Sequence, residues 1–64
     1  MNTNIYYYKF YTLRWFRELI LFLELWKEEP DGSRSWAGQE VASIAEGFRI
    51  IDDLKEHSIV KKML

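Results

Sequence analysis

The chain has one histidine, His57, and no cysteine. Nucleophilic catalysis needs a nucleophile, a base and a group that orients the base, so any such site would have to be built on His57. Ser58 follows it directly. Adjacent residues of a helix do not face one another, and His57 is read as an exposed histidine near a helix end, interacting with the last carbonyls. Asp53 and His57 are four apart, a spacing that places two side chains on one helical face and suits two ligands of a metal ion. The remaining ligands would have to come from another chain. Di-metal bundle sites use Glu three residues before His, and Leu54 stands there.

Glu24 and Glu28 are also four apart. Paired carboxylates do acid–base work where burial raises one pKa, but Glu29 beside them points to a solvent-facing charged stripe. Gly32, Gly38 and Gly47 are isolated, so no glycine-rich phosphate loop is present. The sequence therefore assigns no catalytic residue, no metal ligand and no cofactor, and the expectation is a protein that is not an enzyme.

One segment is distinctive in composition. Residues 6–17 contain Tyr6, Tyr7, Tyr8, Phe10, Tyr11, Trp15 and Phe16, interleaved with Lys9, Arg14 and Arg17. Aromatic platforms with cations along the path are what single-stranded nucleic-acid sites use. Tyrosine, tryptophan and arginine are equally the residues enriched at protein–protein hot spots. Tyr7, Tyr11, Arg14 and Trp15 are the expected exposed contacts. Another protein or a second copy, as a homodimer, is the expected partner, and nucleic acid is the alternative.

Size and composition favour a partner. At 64 residues, with four tyrosines, four phenylalanines and three tryptophans, the chain is one small domain of marginal stability. It has more apolar surface than one small monomer hides easily. Net charge is −1 at pH 7, so the chain as a whole is no magnet for nucleic acid. The charge is uneven: Lys9, Arg14 and Arg17 come first, then Glu18, Glu24, Glu28, Glu29 and Asp31 with only Lys27 among them. The longest apolar run, residues 19–23, is far short of the about 20 residues that a membrane span needs. No leader pattern of basic start, apolar core and small-residue cleavage site is evident. The expectation is a cytoplasmic protein with no membrane partner.

The elements that would present these residues follow from periodicity. Glu29, Pro30, Asp31, Gly32 and Ser33 are strong turn formers in succession. Before them, residues 13–29 gather Phe16, Leu19, Ile20, Leu23 and Trp26 on one helical face, and Arg14, Arg17, Glu18, Glu24 and Glu28 on the other. Against a helix stand two features: bases early and acids late oppose the helix macrodipole, and Leu19, Leu21, Leu23 and Leu25 alternate as one face of a strand does.

After the turn, Ala37, Val41, Ile44, Phe48 and Ile51 form a heptad-like stripe. Ser35 is a candidate N-cap, and Gly38 and Gly47 weaken the helix. Residues 43–48, Ser-Ile-Ala-Glu-Gly-Phe, resemble a stretch of the four-helix-bundle family related to the 23S rRNA intervening-sequence protein. The region from Gly38 through Val41 and Ala42 to Glu46, Gly47 and Phe48 also resembles small ββα-type domains of unknown function. The first resemblance implies a bundle and the second a sheet with a helix; no function is carried over from either.

The fold class expected is all-α: a helical hairpin with an aromatic N-terminal arm, completing a four-helix bundle as a dimer. Its parts are an arm at 1–12, helix 1 at 13–29, a turn at 30–35, helix 2 at 36–57 and a tail at 58–64. Phe16, Ile20, Leu23, Val41, Ile44, Phe48 and Ile51 form the expected packing seam. The alternative is a small α+β fold, with strands near 6–11 and 19–26, a Pro-Asp-Gly β-hairpin and a C-terminal helix. The function expected is a non-enzymatic protein-interaction module: a small subunit, adaptor or inhibitor acting through apolar and aromatic helical surfaces. The alternative is a small nucleic-acid-binding regulator using residues 6–17.

Overall fold

A computed structural model describes residues 3–63. The chain runs β1 (Asn4–Trp15), β2 (Glu18–Glu28), β3 (Arg34–Val41), α1 (Ile44–Lys55) and β4 (Ser58–Lys62). The strands form one sheet in the order β3-β2-β1-β4, antiparallel except for the parallel pair β1 and β4. After the β3 edge, the chain crosses one face of the sheet as α1 and re-enters at the opposite edge as β4.

The expected all-α helical hairpin is thus corrected to a mostly β fold, and the dimeric four-helix bundle falls with it. Residues 13–29 are not a helix. They are the end of β1, a tight turn and β2. Local propensity favoured a helix, but long-range pairing decides such cases. Tyr6, Tyr8 and Phe10 face Lys27, Leu25 and Leu23 across the strand pair. The leucine alternation is what lets β2 put Leu21, Leu23 and Leu25 on one side.

Residues 36–57 are not one helix either. Ala37 and Val41 lie in β3, and the helix begins at Ile44. A spacing of four is even, so it keeps residues on one face of a strand as well as on one face of a helix. Only Ile44, Phe48 and Ile51 carry a helical signal. The cap is Ser43, not Ser35: its Oγ accepts from the Glu46 N–H at 3.1 Å, and the Glu46 carboxylate accepts from the Ala42 N–H at 2.7 Å. This is a variant of the capping box, and Ser-x-x-Glu is its sequence mark. The expected tail is largely strand β4. Met1, Asn2 and Leu64, parts of the expected arm and tail, lie outside the described residues. The α+β alternative, with its Pro-Asp-Gly hairpin and C-terminal helix, is the closer description.

The β2–β3 hairpin shows why that turn forms. Gly32 N–H donates to the Glu29 carbonyl at 3.0 Å, and Glu29 N–H to the Ser33 carbonyl at 2.8 Å. Gly32 has φ +92°, the left-handed position that ends a three-residue hairpin loop and that glycine occupies without strain.

The core lies between the sheet and α1. Leu23, Leu25, Val41 and Ile51 are buried, and Tyr8, Phe10, Leu21, Ile50, Leu54 and Val60 pack around them. Phe48 closes one side, its ring 5.3 Å from that of Phe10 and 6.4 Å from that of Tyr8. Among the described residues no helix is long and apolar enough to cross a membrane.

Candidate protein-interaction surface

Strand residues alternate between the two faces of a sheet. Leu23, Leu25 and Val41 point toward α1, so their sequence neighbours point away from it. Among the described residues no element packs on that second face. The register sets its contents in cross-strand rows. Tyr7 on β1 lies beside Trp26 on β2 and Trp36 on β3, with Lys61 of β4 on the other side of Tyr7. The next row holds Lys9, Glu24 and Gly38, and the one after it Tyr11, Phe22 and Glu40. Leu13 then pairs with Ile20, and Trp15 with Glu18.

These side chains order one another. The Tyr11 and Phe22 rings stack at 5.4 Å, only 11° from parallel. Arg34 reaches across β2 to place its guanidinium 4.2 Å from the Tyr7 ring centroid, a cation–π contact. The Trp26 indole N–H donates to the Glu24 carboxylate at 3.0 Å. The Trp36 ring folds back over Gly38, where a Cβ would come within 2.6 Å of it. Trp36 nevertheless remains 53% exposed. Aromatic side chains bury large areas when covered. Here Tyr7, Tyr11, Phe22 and Trp26 are half-buried by these neighbours, and what is left of each ring faces solvent.

The β1–β2 hairpin projects past the rest of the sheet. β3 ends opposite Leu21 and β4 opposite Tyr8, so residues 13–20 form a bare two-stranded ribbon, and the molecule is 46 Å long but only 17 Å thick. At its tip the Trp15 and Phe16 rings meet edge to face at 5.2 Å. Phe16 is 85% exposed and has φ +57°. The left-handed region is costly for a bulky residue, and a two-residue hairpin turn with positive φ at its first position normally has glycine there.

The structure distributes the residues singled out in the sequence as follows. Tyr7, Tyr11 and Trp15 share the open face. Arg14 is on the opposite side of β1, beyond the reach of α1, and Arg17 is in the turn. Of the expected seam, Leu23, Val41 and Ile51 are core, Ile44 and Phe48 are partly exposed at its rim, Ile20 is on the open face, and Phe16 is at the tip. Phe22, Trp26 and Trp36 are not among the expected contacts. The signal for Phe22 and Trp26 is the alternation Ile20, Phe22, Glu24, Trp26 along β2, which a helical reading with Ile20 and Trp26 on its apolar face does not use.

The chemistry-bearing residues take ordinary positions. His57 lies in the turn after α1, where its Nδ1 meets Ser58 Oγ at 3.0 Å. The two can face each other because neither is helical. Glu24 and Glu28, on a strand rather than a helix, are separated by about 14 Å of backbone. Among the described residues no group of three or more His, Asp or Glu side chains could hold a metal ion.

The open face has mixed charge. Glu18, Glu24, Glu28 and Glu40 outnumber Lys9, Arg34 and Lys61. No protein-family model, curated protein or solved structure matches this chain.

Proposed function

We propose that this chain is a non-enzymatic protein-interaction module, a small subunit, adaptor or inhibitor, whose contact surface is the open aromatic face of the sheet. One observation carries the reading: a four-stranded sheet covered by a helix on one side has Tyr7, Trp26 and Trp36, and Tyr11 and Phe22, in the rows that flank Lys9 and Glu24 on the other. Sheets bury an apolar face against a second layer, and aromatic rows left partly open to solvent, as here, support an interaction site. Aromatic residues with a single arginine among them are the composition of binding hot spots. The cytoplasm, where a cysteine-free chain forgoes nothing, is the compartment proposed.

A nucleic-acid reading draws less support. Affinity for nucleic acid comes first from phosphate neutralisation, and the acids of this face outnumber its bases. Of the cations in residues 6–17, only Lys9 shares the face with the aromatic rings.

The test is site-specific photo-crosslinking in cells, with a benzophenone side chain at position 22 and, as control, at the exposed position 53 on α1. The expected result is protein adducts from position 22 and none from position 53. Adducts to nucleic acid at position 22, or no adduct at all, would contradict the reading.

A further inference from the structure

We infer that the protein covering the open face is a second copy of this chain, packed face to face about a two-fold axis that runs parallel to the strands between β1 and β2. The inference rests on the protein-interaction reading above and deepens it by naming the partner.

A charged row lies in the middle of the aromatic face. Lys9 and Glu24 are register partners, with Tyr7 and Trp26 on one side and Tyr11 and Phe22 on the other. Any protein laid on these rings also covers this pair. Charges taken out of water are stabilised by opposite charges beside them; Lys9 and Glu24 adjoin each other, and Glu24 also accepts from the Trp26 indole. An occupant that presents one cation over Glu24 and one anion over Lys9, one strand spacing apart, adds to that compensation. The chain itself has that pattern.

Rotation about the stated axis exchanges β1 with β2 and β3 with β4 while keeping each row opposite itself. Lys9 then lies over the partner's Glu24, and Glu24 over the partner's Lys9, giving four charges of alternating sign. In the same operation Tyr7 meets the partner's Trp26, Tyr11 meets the partner's Phe22, and Lys61 at the β4 edge meets the exposed indole of the partner's Trp36. The other in-plane axis, perpendicular to the strands through this row, would set Lys9 against Lys9 and Glu24 against Glu24. Of the two orientations, only the first makes the Lys9 and Glu24 row self-complementary. A two-fold interface requires such self-complementarity.

The central strands from Ile5 to Leu13, with the shorter overlap of β3 in the rows of Ile5 to Thr12 and of β4 in the rows of Ile5 to Tyr8, give a flat footprint of about 400 Å². Before side-chain relief is added, that is about half of the about 800 Å² per partner of a standard stable interface. Aligned sheets packed about 30° apart keep the central rows in register.

The experiment is light scattering during size-exclusion chromatography over a concentration series, with circular dichroism as the check on folding. The wild-type chain should elute at twice its 7.8 kDa mass. Lys9→Glu and Glu24→Lys should each remain folded and weaken the dimer at least about a hundredfold, since each places like charges in contact twice. An equimolar mixture of the two variants should recover a mixed dimer, because one chain then carries two anions and the other two cations at the shared centre. The double reversal Lys9→Glu/Glu24→Lys should dimerise as wild type does. Should a single reversal fail to fold, Lys61→Glu at the sheet edge should still weaken the dimer about tenfold.

A monomeric wild type, a dimer indifferent to these reversals, or a mixture that stays monomeric would overturn the inference. A monomer whose position 22 cross-links to other proteins would overturn the second copy while sparing the interaction reading. A monomer with no protein adduct would end both.

Discussion

Gly47, in the second turn of α1, lies directly under the ring of Phe10 on β1, and a Cβ built on it would overlap that ring. Glycine in a helix costs about 1 kcal/mol relative to alanine. Here that cost is offset by the close approach of helix and sheet. Gly47→Ala should therefore destabilise the protein despite its better helix propensity, because overpacking costs about 1–3 kcal/mol. Less the about 1 kcal/mol gained in helix propensity, the net loss is up to about 2 kcal/mol, which should appear as a Tm lower by up to several degrees. Phe10→Leu in the same chain should recover part of it. A Gly47→Ala variant with a raised Tm would show that α1 is not pressed onto Phe10.

Ile51 and Ile44 look equivalent in the sequence but are not so in the fold. Ile51 is fully buried, and Ile44 is 46% exposed. Ile51→Ala should cost about 2–5 kcal/mol, a large share of the stability available to a domain of this size. Ile44→Ala should cost less than half as much. Urea titration of both variants measures the difference, and equal losses would contradict the placement of α1.

Phe16 occupies a backbone conformation that suits glycine. Replacing it should relieve about 1–2 kcal/mol of strain, partly offset by about 0.4–1 kcal/mol of extra chain entropy in the unfolded state. Phe16→Gly should hold or raise the Tm by a few degrees in a thermal melt followed by circular dichroism. A clear drop would mean that the exposed Phe16 ring, through its contact with Trp15, outweighs the turn geometry.

Asp31 should titrate below the ordinary aspartate pKa. The Ser33 hydroxyl, at 2.6 Å, and then the Ser33 backbone N–H, at 2.9 Å, both donate to its carboxylate and hold its pKa down. A depressed folded pKa means that this carboxylate's contribution is present above the unfolded value and is lost as the pH falls through the folded one. The turn should accordingly loosen only below the usual aspartate range. A carboxyl-carbon NMR titration should place Asp31 low and Ser33→Ala closer to normal. An Asp31 midpoint unmoved by Ser33→Ala would contradict the hydroxyl's leading part.

The sequence made the turn at Pro30, Asp31 and Gly32 legible because those residues act locally. It also made legible the helical stretch from Ile44 to Ile51, where spacings of four and three admit no strand. The strands were obscured for a physical reason. Leu19 through Glu28 is rich in good helix formers, and what makes it a strand is the partner β1, which has no local signature in β2. Ala37 and Val41 sat on the right face for the wrong element, since a spacing of four fits both. Tyr7, Tyr11 and Trp15 could be singled out by type alone. That they share a face with Phe22, Trp26 and Trp36, while Arg14 does not, is a property of register. The pairing of Lys9 with Glu24 could not be read before β1 and β2 were aligned.

The central claim is that the open face is covered when the protein works. Hydroxyl-radical footprinting compares directly the side-chain reactivity of the dilute isolated chain with that of the same chain at its cellular concentration in its native extract. The account predicts that Phe22, Trp26 and Trp36 become protected in the extract while Phe48, at the rim of the helix side, keeps its reactivity. Unchanged reactivity at Phe22, Trp26 and Trp36, or protection confined to the α1 side, would contradict it.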